Sequence, residues 1–258
     1  MAQVDLNCDM GESFGVYTLG MDAEVIRHIT SANIACGYHA GDPDVMQKTV
    51  KMAAQHGVAV GAHPAFPDLL GFGRRNMECT PEEITNYIIY QVGALQAFCK
   101  ANGVRLQHVK PHGSLYNTAV GDERIARAIA QAVARVDPDL FLVALAGKQA
   151  ELIQRIGRES GVRVVFEAFP DRAYTREGTL VSRKLPGAVI SDPEEVADRA
   201  LRMAAEGTVL AVDGSELNMG VQTLCVHGDN PAAVALVRKI RERLSGAQIT
   251  VASFGTFL

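Results

Sequence analysis

Two periodicities alternate along this chain. Short apolar runs lie at 4–8, 32–36, 58–62, 106–109, 141–145, 162–168, 208–212 and 223–226. Several lack strict polar alternation, which is the pattern of strands covered on both faces, as in a parallel sheet. Between the runs, apolar residues take helical spacing. Ile84, Ile88, Val92 and Leu95 form one stripe, Ile125, Ile129, Val133 and Val136 a second, and Ala233, Val237, Ile240 and Leu244 a third. The helix starts share a device: Asp42-Pro43, Thr80-Pro81, Asp192-Pro193 and Asn230-Pro231 each set a capping side chain before a proline at the first helical position. Thr80 and Glu83 also form a capping box. Gly57, Gly103, Gly161, Gly207 and Gly246 stand where helices should stop.

Strands alternating with helices predict an α/β fold, a TIM-like (β/α) barrel of seven or eight parallel strands. The stretch 170–191 has no long periodic face and reads as a long loop or small hairpin reaching over the site. No linker, low-complexity tract or repeat breaks the alternation, so residues 1–258 read as a single barrel domain.

Charge and composition remove several function classes. A net charge of −4 with both signs interspersed offers no basic stripe for nucleic acid and no polybasic patch for a membrane surface. No apolar run approaches the roughly 18–20 residues of a membrane span. The N-terminal segment lacks the basic-then-apolar order of a secretory signal. Five cysteines without a C-x-x-C pair disfavour a disulfide framework and a structural zinc site. The absence of Trp weakens any stacking platform for bases. A soluble cytoplasmic protein is the expectation.

The chemistry sits just past the apolar runs. Asp9 and Glu12 follow the first, His39 and Asp42 the second, and His63 the third, with Arg74 and Arg75 beyond it. The fourth stops at Lys110-Pro-His-Gly113, because proline cannot donate a ladder hydrogen bond and glycine frees the backbone to turn. It supplies Lys110, His112, Tyr116 and Asn117. The sixth leads from Glu167 to Arg172, and the last ends at His227-Gly-Asp229. In a parallel barrel these positions share one rim. Singly, each has a plain alternative: a strand-end histidine often only completes a hydrogen bond, Asp42 and Asp229 suit helix starts, and Arg74-Arg75 suits a solvated loop. Their coincidence on one rim points to a site.

Asp9, Glu12 and Glu167 beside imidazoles suit proton transfer and activation of a water. Lys110, Arg74, Arg75, Arg172 and Arg183 suit a carboxylate or phosphate. Hydrolysis of an anionic amide or ester is the matching reaction. Asp9, His39 and His63 are candidate ligands for a divalent metal, although no two histidines have a diagnostic short spacing. No P-loop, H-E-x-x-H helix or G-x-S-x-G elbow is present.

Seven blocks, in this order, resemble the LamB/YcsF lactam-utilisation family: Asp5-Leu-Asn-Cys-Asp-Met-Gly-Glu12, Ser31-Ala-Asn-Ile-Ala-Cys-Gly-Tyr-His-Ala-Gly-Asp42, Gly61-Ala-His-Pro-Ala-Phe-Pro-Asp68, Gly71-Phe-Gly-Arg-Arg75, Val109-Lys-Pro-His-Gly-Ser-Leu-Tyr-Asn117, Glu167-Ala-Phe-Pro-Asp-Arg-Ala-Tyr174 and Cys225-Val-His-Gly-Asp-Asn230. One departure is Ser114, where the family often has Ala. The resemblance implies a barrel similar to the glycoside hydrolase/deacetylase type. It also implies ATP-dependent opening of the lactam of 5-oxo-L-proline to L-glutamate, with ADP and phosphate released, ATP as co-substrate carried with Mg, and partner B and C subunits of a 5-oxoprolinase. On that reading Asp9, Glu12, His63, Lys110 and His112 are the catalytic candidates. Asn7, His39, Asp42, Arg74, Arg75, Tyr116, Asn117, Glu167, Arg172 and His227 are the candidates for binding substrate or phosphate. Two other readings remain open: a stand-alone metal-dependent amide or carbohydrate hydrolase of the polysaccharide-deacetylase-like type, and a non-catalytic scaffold within a larger assembly.

Overall fold

Seven of the apolar runs pair in parallel and close on themselves in the computed structural model, which describes residues 2–226 and 231–258. The strands are β1 (Gln3–Met10), β2 (Ser31–Ala35), β3 (Ala59–His63), β4 (Leu106–Val109), β5 (Phe141–Leu145), β6 (Arg163–Ala168), β7 (Thr208–Leu210), β8 (Glu216–Asn218), β9 (Thr223–Val226) and β10 (Thr250–Val251). Order around the barrel is β1-β2-β3-β4-β5-β6-β9, and β9 returns to β1 with Asp5 opposite Thr223 and Cys8 opposite Val226. The short β10 adds to the start of β1, with Gln3 opposite Thr250.

The run at 208–212 departs from expectation. Only Thr208–Leu210 forms a strand, and it pairs antiparallel with β8 outside the barrel. Asp213-Gly214, with Gly214 at φ +82°, turns the chain straight back, and the Ala211 amide donates to Ser215 O at 2.9 Å. A turn of that kind makes local antiparallel pairing the nearest available partner. Val209 is buried while Leu210 and Val212 are exposed, so this strand is covered on one face only.

The helices are α1 (Asp22–Val25), α2 (Pro43–His56), α3 (Pro81–Ala101), α4 (Gly113–Gly121), α5 (Glu123–Val136), α6 (Ala150–Ser160), α7 (Pro193–Glu206) and α8 (Pro231–Gly246). Asp42, Thr80 and Asp192 cap α2, α3 and α7 as expected, each accepting from the amide three residues on. The Thr80–Glu83 capping box is complete. The α3 stripe of Ile84, Ile88, Val92 and Leu95 is buried on the outer face of the barrel, as are Ala233, Val237, Ile240 and Leu244 of α8. Each fully buried Ile or Leu contributes roughly 1.5–3 kcal/mol. Among the described residues no helix is long and apolar enough to cross a membrane.

Inside the barrel the pattern inverts. Strand side chains alternate in direction, and β1 turns Leu6, Cys8 and Met10 to the helices while Asp5, Asn7 and Asp9 join a polar interior. The hydroxyls of Thr30 and Ser31 donate to Asp5 at 2.6 and 2.7 Å, and Thr223 donates as well. Thr223 accepts from Asn7 Nδ2 at 2.7 Å. Asn7 Oδ1 accepts from Asn33 Nδ2 at 2.8 Å, and Asn33 Nδ2 also donates to Asp9 at 2.9 Å. Asn33 Oδ1 faces His108 Nε2 at 2.7 Å. Gly61 makes room for that imidazole, since a Cβ there would fall 1.9 Å from His108 Nε2. At the amino ends of the strands the interior is closed by Phe254 packed on Phe141, Val143 and Val165.

Burial pushes the Asp5 carboxyl from 3.8 up to about 6, with the three hydroxyls holding it back. A carboxyl raised on folding favours the folded state while protonated. Its contribution is complete below about pH 4 and is lost as pH rises through about 6, a swing of about 3 kcal/mol. Urea unfolding between pH 4.5 and 7.5 is the check: Asp5→Asn is expected to flatten the pH dependence by most of that amount, and an unchanged pH profile would place the titration elsewhere.

Candidate active site at the carboxyl ends of the strands

The site forms where polar interior positions reach the carboxyl end of the barrel. Asp9 is the penultimate residue of β1, and Gly11, at φ +67°, turns the chain to present Glu12. His63 ends β3. Past β4, the Lys110 amide still bonds to Ala62 O and the His112 amide to Pro64 O, both at 2.8 Å, so the two side chains stand in register with His63. These residues open into a cavity of about 1010 Å³. The segment 170–191 lies over the cavity, as expected. Bridges Arg172–Val189 and Tyr174–Leu180 pin it, and Glu177 through Arg183 contribute to the lining.

Lys110 is the centre of one half of the site. Its Nζ lies 2.7 Å from Glu167 Oε1, 3.1 Å from Asp9 Oδ1, 3.2 Å from Asn7 Oδ1 and 3.2 Å from Cys225 Sγ, and it is 2% exposed. Burial opposes the ammonium charge, but Asp9, Cys225 and Glu167 outweigh it and hold Lys110 well above its ordinary range. Burial likewise pushes Asp9 up, and His63 and Lys110 outweigh it and hold the carboxyl well below the usual carboxylate range. Tyr116 donates to Glu167 Oε2 at 3.1 Å; burial and that carboxylate push its phenol well up. The result is one fixed cation between two fixed anions.

Imidazoles make the other half. His63 Nδ1 lies 2.7 Å from Lys110 O and His112 Nε2 lies 2.9 Å from Phe72 O. Their remaining nitrogens, His63 Nε2 and His112 Nδ1, face each other at 2.9 Å. The His39 ring stacks on His112 with centroids 3.8 Å apart, and its Nε2 lies 3.2 Å from Glu12 Oε1. Burial and then the charge of Asp9 push the Glu12 carboxyl up, while burial pushes His39 and His112 well down. One donor atom from each of Glu12, His39, His63 and His112 lies within 4.8 Å of all the others. Among the described residues this is the group able to hold a metal ion. It contains His39 and His63 of the expected ligands, but Asp9 is engaged with Lys110 and Asn33, and Glu12 and His112 take its place.

The remaining candidates divide. Arg74, Tyr116, Asn117 and Arg172 line the cavity. Arg172 donates to Ala188 O and Val181 O, so its guanidinium also shapes the covering segment. Glu167 and Asn7 lie beneath the floor, fully buried, and act on the site through Lys110. Asp42 and Arg75 stand apart from the lining. Asp42 spends its oxygens on the α2 cap and on the Gly15 amide, and Arg75 pairs with Asp68, which also binds the Gly71 amide. His227 and Asp229 lie outside the described residues. Sequence reasoning missed Asn33, His108 and Cys225. The signal that could have found the first two is the run of polar residues at alternate positions of otherwise apolar strands.

Removing the ammonium would strand the fully buried Glu167 carboxylate and the partly buried Asp9 carboxylate, a loss of about 3–5 kcal/mol. Urea unfolding of Lys110→Met is expected to show it, with Glu167→Gln in the same chain recovering part. A Lys110→Met chain as stable as the parent would contradict the assignment.

The LamB/YcsF family matches residues 4–258. The chain is 57% identical over 257 residues to the 5-oxoprolinase A subunit of Natranaerobius thermophilus, covering 100% of this chain and 99% of that one. It superposes with a TM-score of 0.91 on the crystal structure of a lactam utilization protein from Thermus thermophilus, at 51% identity and covering 98% and 100% of the two chains. A peptidoglycan N-acetylglucosamine deacetylase, at 12% identity and a TM-score of 0.50, covering 98% and 86%, shares the fold alone. The ordered motifs, the closed seven-stranded barrel and the full-length match agree: this chain belongs to the LamB/YcsF family.

Proposed function

We propose that this chain is the A subunit of an ATP-dependent 5-oxoprolinase, opening the lactam of 5-oxo-L-proline to L-glutamate together with B and C subunits. The observation that carries the reading is full-length identity of 57% to a 5-oxoprolinase A subunit, with a buried Lys–Asp–Glu cluster flooring the cavity. A lactam is a resonance-stabilised amide with a poor leaving group. Transfer of the γ-phosphoryl of MgATP to the amide oxygen forms the O–P bond, releases ADP and makes the ring carbon electrophilic. Water then adds at that carbon and the C–N bond breaks as the nitrogen takes up a proton, which leaves the side-chain carboxyl as an acyl phosphate. A second water hydrolyses that acyl phosphate to carboxylate and free phosphate.

Each group on the rim suits one part of this sequence. Lys110 offers a fixed positive charge against the negative charge that builds on oxygen. Arg74, lining the mouth, suits the substrate carboxylate or the phosphoryl group. Asp9 lines the cavity with Oδ1 tied to Lys110 and Asn33. Its Oδ2, 3.3 Å from His63 Nε2, is left to orient the attacking water as the O–C bond forms. The proton that this water gives up is the one the departing nitrogen needs.

The test is reconstitution with B and C subunits, 5-oxoproline and MgATP, following glutamate and ADP with each component omitted in turn. Glutamate is expected only in the full mixture, with one ADP per glutamate. Asp9→Asn is expected to cut turnover about 10²-fold, and Arg74→Ala to raise KM. Glutamate formed without ATP, or full activity in Asp9→Asn, would overturn the reading; turnover of an N-acyl sugar without ATP would favour a stand-alone hydrolase.

A further inference from the structure

We propose that Glu12, His39, His63 and His112 bind a divalent transition-metal ion in the wall of the cavity. His63 Nδ1 points at one backbone carbonyl, Lys110 O, and His112 Nε2 at another, Phe72 O, at 2.7 and 2.9 Å. A carbonyl oxygen only accepts, so both of these nitrogens carry hydrogen. In neutral rings the opposite nitrogens are then bare lone pairs. Those two lone pairs face each other across 2.9 Å, an arrangement that is repulsive unless something cationic joins them.

The surroundings favour a metal over an extra proton. A proton would join only two of the four donors, leaving His39 and Glu12 outside. The donors are spaced for a shared ion: His63 Nε2 to His112 Nδ1 is 2.9 Å, His39 Nε2 to Glu12 Oε1 3.2 Å and Glu12 Oε1 to His112 Nδ1 3.8 Å. Ligands roughly 2.0–2.1 Å from one tetrahedral ion stand about 3.3–3.4 Å apart, a spacing these three pairs bracket. All four donors fall within 4.8 Å of one another, so binding draws the wider pairs together. The outward ring nitrogens of His63 and His112 donate to backbone carbonyls, the support a ligating imidazole needs to fix its tautomer. Gly73, at φ +63°, gives the rings their room: a Cβ there would fall 2.8 Å from His112 Cδ2 and 2.9 Å from His39 Cβ.

Three imidazoles and one carboxylate suit Zn²⁺ or Co²⁺, whereas Mg²⁺ prefers an all-oxygen shell. Glu12, His63 and His112 line the cavity, so a fifth ligand, expanding the four-coordinate ion, would come from the place where substrate would lie. When bound, such an ion supplies Lewis acidity toward a carbonyl or phosphoryl oxygen. Metal binding is read without turnover, so failure of either the metal site or the lactam reaction leaves the other standing.

The test uses the full chain, stripped with chelator and titrated with Co²⁺ and Zn²⁺. One ion per chain is expected by elemental analysis, with the intense visible absorption of four- or five-coordinate Co²⁺ and a raised Tm. His39→Asn and His112→Ala, checked for folding by circular dichroism, are each expected to weaken binding by at least about 100-fold, beyond the loss typical of an outer partner. His56→Ala, on the exposed end of α2, is expected to bind like the parent. Substoichiometric binding, the weak spectrum of six-coordinate Co²⁺, or equal affinity in folded His112→Ala would overturn the proposal.

Discussion

One ammonium group, sealed inside a barrel, orders everything around it. Lys110 meets two carboxylates, an amide oxygen and a thiol within 3.2 Å, with almost no access to water. Such a charge is tolerated only when its partners are fixed in place, because burying an unpaired ion costs several kcal/mol. That requirement fixes Asp9 and Glu167. It also explains the barrel's polar interior: Asn33 holds Asp9, Asn7 holds Lys110 and Asn33, Thr223 holds Asn7 and is itself held by Asp5, and His108 holds Asn33. Each donor finds an acceptor, which is the condition under which a buried network rigidifies a site.

The same constraint separates two chemistries within a few ångströms. Below, a saturated ion cluster supplies fixed charge that needs no reorganisation during reaction. Beside it, the imidazole group keeps its lone pairs turned inward. His63 joins the halves: its ring contacts Asp9 and His112, and its Nδ1 faces the backbone carbonyl of Lys110. A shift of β3 against β4 would therefore disturb both halves together.

Much of this was legible along the chain. Local signals gave the alternation of elements, the proline-marked helix starts, the covering segment 170–191 and the rim position of Asp9, His63, Lys110 and His112. What stayed hidden is long-range. Asn7 meets Thr223 across 216 positions and Lys110 meets Cys225 across 115, and no local pattern encodes such pairs. Asn33 and His108 sit within apolar runs, where their inward direction depends on barrel closure. Asp42 and Arg75 show the opposite failure: their residue types fit a ligand site, but closer partners in α2 and in the Asp68 turn claim them. The run at 208–212 had a strand's composition, and the Asp213-Gly214 turn decided its partner.

Fixed charge and lone pairs from both halves converge on one water-accessible mouth, and on the proposed function that mouth is where a lactam is held. A crystal structure of the chain with 5-oxo-L-proline bound tests this most directly. The ring is expected to lie in the cavity, its carbonyl oxygen toward Lys110 and the imidazole group and its carboxylate toward Arg74. A lactam bound outside the barrel mouth, out of reach of Asp9 and Lys110, would contradict it.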